Sequence, residues 1–468
     1  MFAPQFYAQR RMALCREVRA RGVSHGMLLL LANSYAPRNY QANCYPFRQD
    51  SSWLYLLGTN IPDQAALIDI ESAHATLFAE APGLDTLIWT GPLPSPEECA
   101  LSSACDAWKT LGELPSFLET LLAKKVPLFI LPPYRSDQML RLSGLLGIAP
   151  DKLDMLVEQR IISALVCVRE IKSPQEIDEI EKAVSLTAEI HRDILHELRP
   201  GWTEQNAADR VAMRAASFGC SLSFQTIATC RGEVLHNSPT QRVVQAGDLF
   251  LLDAGVEVPS GYAGDLTTTF PVGPVFEPRA RDLYRLLCNV LEAATGALGP
   301  GKRFIDIHRT ASLALAEGLT ALGLMKGDPR EAVAEGAHAL FFPHGLGHQI
   351  GLDVHDMEGL GEDIVGYGGE LVRSTQFGLR SLRLAKTLKP GMVHSVEPGI
   401  YFIPDLIARW EAERLCQNYL DYATINKWKS VRGMRIEEDW CITGQGARRL
   451  GSMFDRSAES IEAARSAS

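Results

Sequence analysis

The chain has 468 residues, too many for one typical core, so two or three domains are expected. Hydrophobic residues make up 46% and charged residues 22%, the balance of a folded globular protein and not of a disordered one. A formal charge of −10 and the lack of any basic stripe argue against nucleic acid or an anionic membrane as a partner.

The N-terminal MFAPQFYAQRRMALCREVRARG is charged and amphipathic, with no apolar core ahead of a small-residue cleavage site, so no signal peptide is expected. Ten cysteines are scattered without a CxxC pair, which fits small buried residues in a reducing, cytoplasmic setting. Residues 4–22 read as a helix, and the aliphatic run 27–32 as a buried strand too short to span a membrane. Further strands are expected at 65–70, 75–78, 127–132 and 161–168, with helices at 113–123 and 135–146. Together these make residues 1–168 an α/β domain.

Residues 169–468 form the second domain. Ser173-Pro174-Gln175-Glu176 is a capping box with proline at the first helical position, and it opens a long helix that ends at Arg199-Pro200-Gly201. This part of the chain repeats itself. LRPG (198–201) returns as LGPG (298–301), and GDLFLLDAG (247–255) returns as GMVHSVEPG (391–399). A duplicated α+β domain follows, in which Asp253 and Glu397 end two related strands and face each other across a pseudo-two-fold axis. The partner of each strand carries a second acid, Asp265 after a turn at Pro259-Ser260 and Glu437 after a longer excursion.

Between the two acid pairs lies FFPHGLGHQIGLDVHD (341–356), three histidines and two aspartates among glycines in an apolar setting. Such polar groups out of water must be paired or bound, because an unsatisfied one costs on the order of 2–7 kcal/mol. The spacing of His344, His348 and His355 is not that of an HExxH helix. Gly345, Gly347 and Gly351 suit backbone that passes close to something or takes positive φ. Four acids drawn together repel and take up protons unless cations neutralise them. Oxygen and imidazole ligation without thiolate favours manganese, cobalt or zinc, and two such ions would activate a water for hydrolysis.

LLDAG (251–255), GYAGDLTTTFPV (261–272), PHGLGHQIGLDVHD (343–356), VEPGIYF (396–402) and GMRIEEDW (433–440) resemble, in order, the five motifs of the proline-specific pita-bread metallopeptidases, aminopeptidase P and prolidase. YPFRQDSSWLYLLG (45–58) resembles the signature of their N-terminal domain. The resemblance implies a pita-bread catalytic domain with two divalent ions per subunit, manganese first and cobalt or zinc as alternatives. The ligands it implies are Asp253, Asp265, His348, Glu397 and Glu437. Glu397 would shuttle the proton, His344 and His355 would bind substrate and stabilise the tetrahedral intermediate, His236 would line the proline pocket, and Arg435 would hold the site or the substrate. Small peptides with proline in second position are the implied substrates, and a homodimer or homotetramer the implied assembly.

This sequence departs from the family pattern in three places. Asp253 and Asp265 are one residue further apart than is usual, TIATCRGEV before His236 is shorter than the family loop, and Phe224 stands where tyrosine is common. FGLRSLRLAK (377–386) and the long 397–437 excursion resemble prolidase, in which the arginine matching Arg383 binds a dipeptide's free carboxylate, a task suited to a bidentate guanidinium. Arg383 could equally pair with an acid of its own domain. The shortened loop favours an Xaa-Pro aminopeptidase with an open pocket. A dipeptidase is the alternative, and an inactive pita-bread binding module is the reading from another class, whose mark would be lost ligands.

Overall fold

In the computed structural model, which describes residues 2–452 and 454–467, the chain divides into two compact units. One comprises Met1–Arg169 with Glu358–Gly361, the other Glu170–Met357 with Glu362–Ser468. Among the described residues no helix is long and apolar enough to cross a membrane.

The first unit is built on a mixed five-stranded sheet in the order 107–109, 75–78, 65–69, 27–31, 128–130. Met27–Leu31 runs antiparallel to Ala65–Asp69, with Met27 opposite Asp69 and Leu31 opposite Ala65, and parallel to Leu128–Ile130. Its unbroken aliphatic sequence suits a central strand covered on both faces, and Leu28 to Leu31 are all buried. Leu29, Leu31, Leu67 and Phe78 pack with Leu114, Leu118 and Leu142 from the helices Leu114–Ala123 and Ser136–Leu146. Asp50 caps the helix Ser51–Leu56, accepting from the Trp53 amide at 2.8 Å, so the motif at 45–58 is a loop feeding a short buried helix.

One expectation fails here. Residues 161–168, expected as a strand, lie in the helix Gln159–Glu170. Within it Ile161, Ile162, Ala164, Leu165 and Val166 are buried, and with Arg169 one turn on they form a stripe in which 161/162, 165/166 and 169 recur every three to four residues, as a helix face requires. A short apolar run does not by itself separate a buried strand from a buried helix.

The second unit opens with the helix Pro174–Glu197, whose capping box is formed, Ser173 and Glu176 each accepting from the other's backbone. A second helix, Glu204–Ser217, leads into an antiparallel sheet ordered 266–271, 249–254, 227–229. The plan then repeats, with helices Pro278–Gly296 and Phe304–Ala321 and a sheet ordered 393–396, 438–442, 447–449. Strand Gly399–Tyr401 pairs with Gly433–Arg435.

The duplication extends to single hydrogen bonds. The Gly201 amide donates to Val244 O at 3.0 Å as that of Gly301 donates to Leu388 O at 2.8 Å, and the amides of Gly247 and Gly391 donate to Val272 O and Ile442 O, both at 2.8 Å. Gly201 and Gly301 have φ of 95° and 79°, and Gly247 and Gly391 of 88° and 90°, a conformation that favours glycine. In register, Leu251 faces Thr269 as Ser395 faces Asp439. Asp253 therefore corresponds to Glu397, whereas Glu437 corresponds to Thr267 and Asp265 to Arg435. The two outer acids are offset by two residues, and because side chains alternate along a strand, such an offset keeps both on one face.

Two buried ion pairs tie the unit together. Lys172 Nζ lies 3.0 Å from Asp356 Oδ2 with side chains 1% and 2% exposed, and the Lys172 amide donates to Gly391 O at 2.8 Å. Glu170 pairs with Lys386, both 4% exposed, and with Lys389 at 3.0 Å. Removing one member of a buried pair strands a charge out of water. Lys172→Met should therefore destabilise the unit by about 3–5 kcal/mol. Arg409→Ala, at an exposed helical pair with Glu413, should change stability by no more than about 0.5 kcal/mol. Denaturant unfolding of the two variants beside the parent checks the contrast.

Candidate active site

The acids reach one place because the strand ends converge there. Asp253 lies on the strand Leu249–Ala254, Asp265 immediately precedes Leu266–Pro271, Glu397 immediately follows Val393–Val396, and Glu437 immediately precedes Glu438–Ile442. Between Asp253 and Asp265 the chain turns at Pro259 and Ser260, where the Gly261 amide donates to Val258 O at 2.7 Å.

The glycine-rich stretch supplies the imidazoles as an extended segment laid beside the strand 393–396. Ser395 N donates to His348 O at 2.9 Å, Ile350 N to Val393 O at 3.0 Å and Glu397 N to Leu346 O at 2.7 Å. The glycines here serve close approach, and none of Gly345, Gly347 and Gly351 is among the residues at positive φ. A Cβ on Gly347 would come within 2.2 Å of Ser395 O, and one on Gly351 within 2.4 Å of the Asp356 carboxylate.

His348 Nε2 lies 3.5 Å from Asp265 Oδ2, 3.7 Å from Glu397 Oε1 and 4.0 Å from Glu437 Oε1. One ligand atom each from Asp265, His348 and Glu437 fall within 4.8 Å of one another. Asp253 Oδ1, Asp265 Oδ1 and Glu437 Oε1 are buried without a hydrogen-bond donor. Burial, reinforced by the neighbouring acids, holds the carboxyls of Asp265 and Glu437 well above their ordinary range and raises that of Glu397. Orphaned carboxylate oxygens around one imidazole nitrogen are the donor set a hard divalent cation requires. The residues present fit such an ion.

Arg435 puts a buried guanidinium into this cage. Its Nη2 pairs with Asp253 Oδ2, its Nη1 donates to Tyr401 Oη at 2.9 Å and its Nε to Thr267 Oγ1 at 3.2 Å. The Thr267 hydroxyl in turn donates a hydrogen bond to Glu437 Oε2 at 2.7 Å. His344 completes a chain, with Nε2 3.0 Å from Tyr401 Oη and Nδ1 2.8 Å from Gly345 O. The carbonyl can only accept, so the proton sits on Nδ1 and Tyr401 donates to Nε2. Burial holds the His344 ring neutral, its pKa lowered to about 3. His348 stacks on His355, with ring centroids 3.8 Å apart and planes at 11°.

Every residue singled out in the sequence lines one cavity of about 530 Å³: the four acids, His236, His344, His348, His355, Arg383 and Arg435. Phe224 and Ser381 line it as well. Arg383 stands in the cavity wall and pairs with an acid of its own domain, Glu362, at 3.3 Å. Tyr401 and Thr267 were not singled out. Tyr401 stands inside the VEPGIYF motif, and Thr267 follows Asp265 by two on the same strand face, a spacing that could have disclosed it.

The pattern of metallopeptidase family M24 matches residues 178–444, and that of the N-terminal domain of aminopeptidase P matches residues 7–129. The chain is 29% identical to a human Xaa-Pro dipeptidase over 98% of its own length and 92% of the relative's. It is 28% identical to an Escherichia coli Xaa-Pro aminopeptidase over 98% and 97%. A solved structure, proline aminopeptidase P II from Yersinia pestis, superposes with a TM-score of 0.81 at 28% identity over the whole of both chains. With its cage of carboxylates and imidazole lying inside the matched region, the chain belongs to metallopeptidase family M24, with an N-terminal domain of the aminopeptidase P type.

Proposed function

We propose that the protein is a metal-dependent exopeptidase that hydrolyses the Xaa-Pro bond at the N-terminus of peptides, an Xaa-Pro aminopeptidase that also accepts dipeptides. The observation that carries this reading is the single cavity that has the carboxylate and imidazole cage on its floor and room for a peptide above it. Relatives of both kinds, dipeptidase and aminopeptidase, cover nearly the whole chain. Arg383 in the cavity wall favours the dipeptidase as the second reading. We assign the protein to the cytoplasm, on its scattered cysteines, and to a homodimer or homotetramer, on family resemblance.

Asp253, Asp265, His348, Glu397 and Glu437 would hold two divalent ions, manganese first. What the bound ions supply is a water of lowered pKa and positive charge against the scissile carbonyl oxygen. Glu397, whose carboxyl burial raises above its ordinary range, takes the proton of the attacking water on a side-chain oxygen and delivers it to the departing prolyl nitrogen, the work of a carboxylate as general base and then general acid. His344 stands with Nδ1 3.9 Å from Glu397 Oε2, and to bind the oxygen on which charge develops it would exchange the Nδ1–H bond it makes to Gly345 O for one to the substrate. His355 holds the His348 ring by stacking and faces the substrate from the other wall. Arg435 holds the Asp253 carboxylate in place. His236, exposed at the rim, closes the proline pocket.

Metal-stripped protein given manganese should hydrolyse both Ala-Pro and Ala-Pro-Ala. Cleavage of the dipeptide alone would make it a dipeptidase, and no cleavage with any divalent ion would sink the peptidase reading. Glu397→Gln should lower kcat by about 10²–10⁴-fold, measured in steady state with saturating manganese. Chelation should lower the melting temperature and manganese restore it, with about 2.7 kcal/mol of stabilisation when free metal is a hundred times its Kd. A melting curve indifferent to chelator and metal would count against the assigned ligands.

A further inference from the structure

Arg383 lines the cavity within reach of Glu397, whose carboxyl its charge opposes raising, yet it carries a carboxylate of its own chain. Glu362 Oε1 lies 3.3 Å from Arg383 Nη1, with the two side chains 48% and 37% exposed. The other oxygen of the same carboxylate, Oε2, lies 3.2 Å from Arg373 Nη2. Arg373 is in turn fixed from several sides. Its Nε lies 2.8 Å from Asp363 Oδ1, its Nη1 donates to Arg380 O at 3.1 Å and to Leu382 O at 3.0 Å, and its guanidinium sits over the Tyr367 ring at 4.8 Å. The backbone beneath is tight as well. The amides of Ala385 and Lys386 both donate to Gly366 O at 2.9 Å, and a Cβ on Gly366 would come within 1.8 Å of Arg383 O. Glu362 therefore stands between two arginines on one rigid wall, one facing the cavity and the other anchored away from it.

A half-exposed contact through a single oxygen at this distance is of the weak kind, and a second carboxylate that engages the guanidinium through both oxygens forms a stronger pair. Whatever displaces Glu362 from Arg383 leaves it on Arg373, shared with the exposed Asp363, and half in water, so the exchange strands no buried charge. In an Xaa-Pro dipeptide the free carboxylate belongs to the proline itself. A third residue carries it about 3.5 Å further out, beyond the same geometry.

We propose that Glu362 is a resident counter-carboxylate on Arg383, replaced by the C-terminal carboxylate of an Xaa-Pro dipeptide and retained by Arg373 when it lets go, so that this acid sets the enzyme's preference for substrate length. The proposal rests on the Xaa-Pro reading above and adds to it the residue that competes with the substrate.

The test is steady-state hydrolysis of Ala-Pro and Ala-Pro-Ala by the manganese-loaded parent, Glu362→Gln and Glu362→Ala. Both variants should lower KM for the dipeptide by about three- to tenfold with kcat unchanged, the effect shrinking in high salt, while KM for the tripeptide moves by less than twofold. In an Arg383→Met background Glu362→Gln should have no effect on the dipeptide. Melting curves of both variants establish that they are folded. Equal changes for the two peptides, no change, or a rise in dipeptide KM would overturn the proposal and leave the peptidase reading intact. A parent that cleaves neither peptide would overturn both.

Discussion

The constraint from which the rest of the second unit follows is the mutual repulsion of four carboxylates in a space sheltered from water. Unscreened acids a few ångström apart are driven to take up protons, and Asp265 and Glu437 are held well above the usual carboxylate range by burial first and by their neighbours second. Arg435 offsets only part of this charge, through Asp253. Asp253 Oδ1, Asp265 Oδ1 and Glu437 Oε1 have no donor among the described residues. A fold that keeps such a cluster together must hold it by elements that do not yield, and it does so with the ends of hydrogen-bonded strands.

Duplication provides two such ends, and their slight inequivalence makes the site asymmetric. If the halves matched residue for residue, Asp265 would face an acid where Arg435 stands, and Glu437 would face another where Thr267 stands. The two-residue offset instead puts an arginine and a hydroxyl into the cage beside the acids, all on one face. Thr267 accepts from Arg435 and donates to Glu437, fixing which oxygen of Glu437 remains exposed to a cation. Symmetry builds the frame, and the offset gives each acid a different surrounding and therefore a different role.

Much of this was legible from residue order alone, because the informative features are local. The capping box at Ser173, the recurring glycine-to-acid strands and the histidines among glycines each state their geometry within a dozen residues. The helix 159–170 was not legible as such, since its apolar run gives no period that separates it from a strand until burial shows which side chains turn inward. Partners distant in sequence are hidden for a different reason. Nothing near Lys172 announces Asp356, 184 residues away, and nothing in GEDIVGY announces that Glu362 lies between Arg373 and Arg383. An ion pair has no sequence period, and its members look like any surface charge until the fold brings them together.

These hidden pairs explain how the histidine segment remains in place against a repulsive cluster. The segment 346–356 is fastened on one side by the strand 393–396 and closed on the other by Asp356, whose amide donates to Gln349 O at 2.9 Å and whose carboxylate is anchored by Lys172. Lys172 itself is bonded through its backbone to Gly391, the residue that starts the strand leading to Glu397. One lysine thus links the imidazole segment to the origin of the acid strand that faces it. A shift of either would move His348 away from Asp265 and Glu397 together, because both acids gather around the same ring nitrogen. Buried charge is costly to place, and its position here, behind the ligand-bearing segment and outside the cavity, is where rigidity is worth that cost.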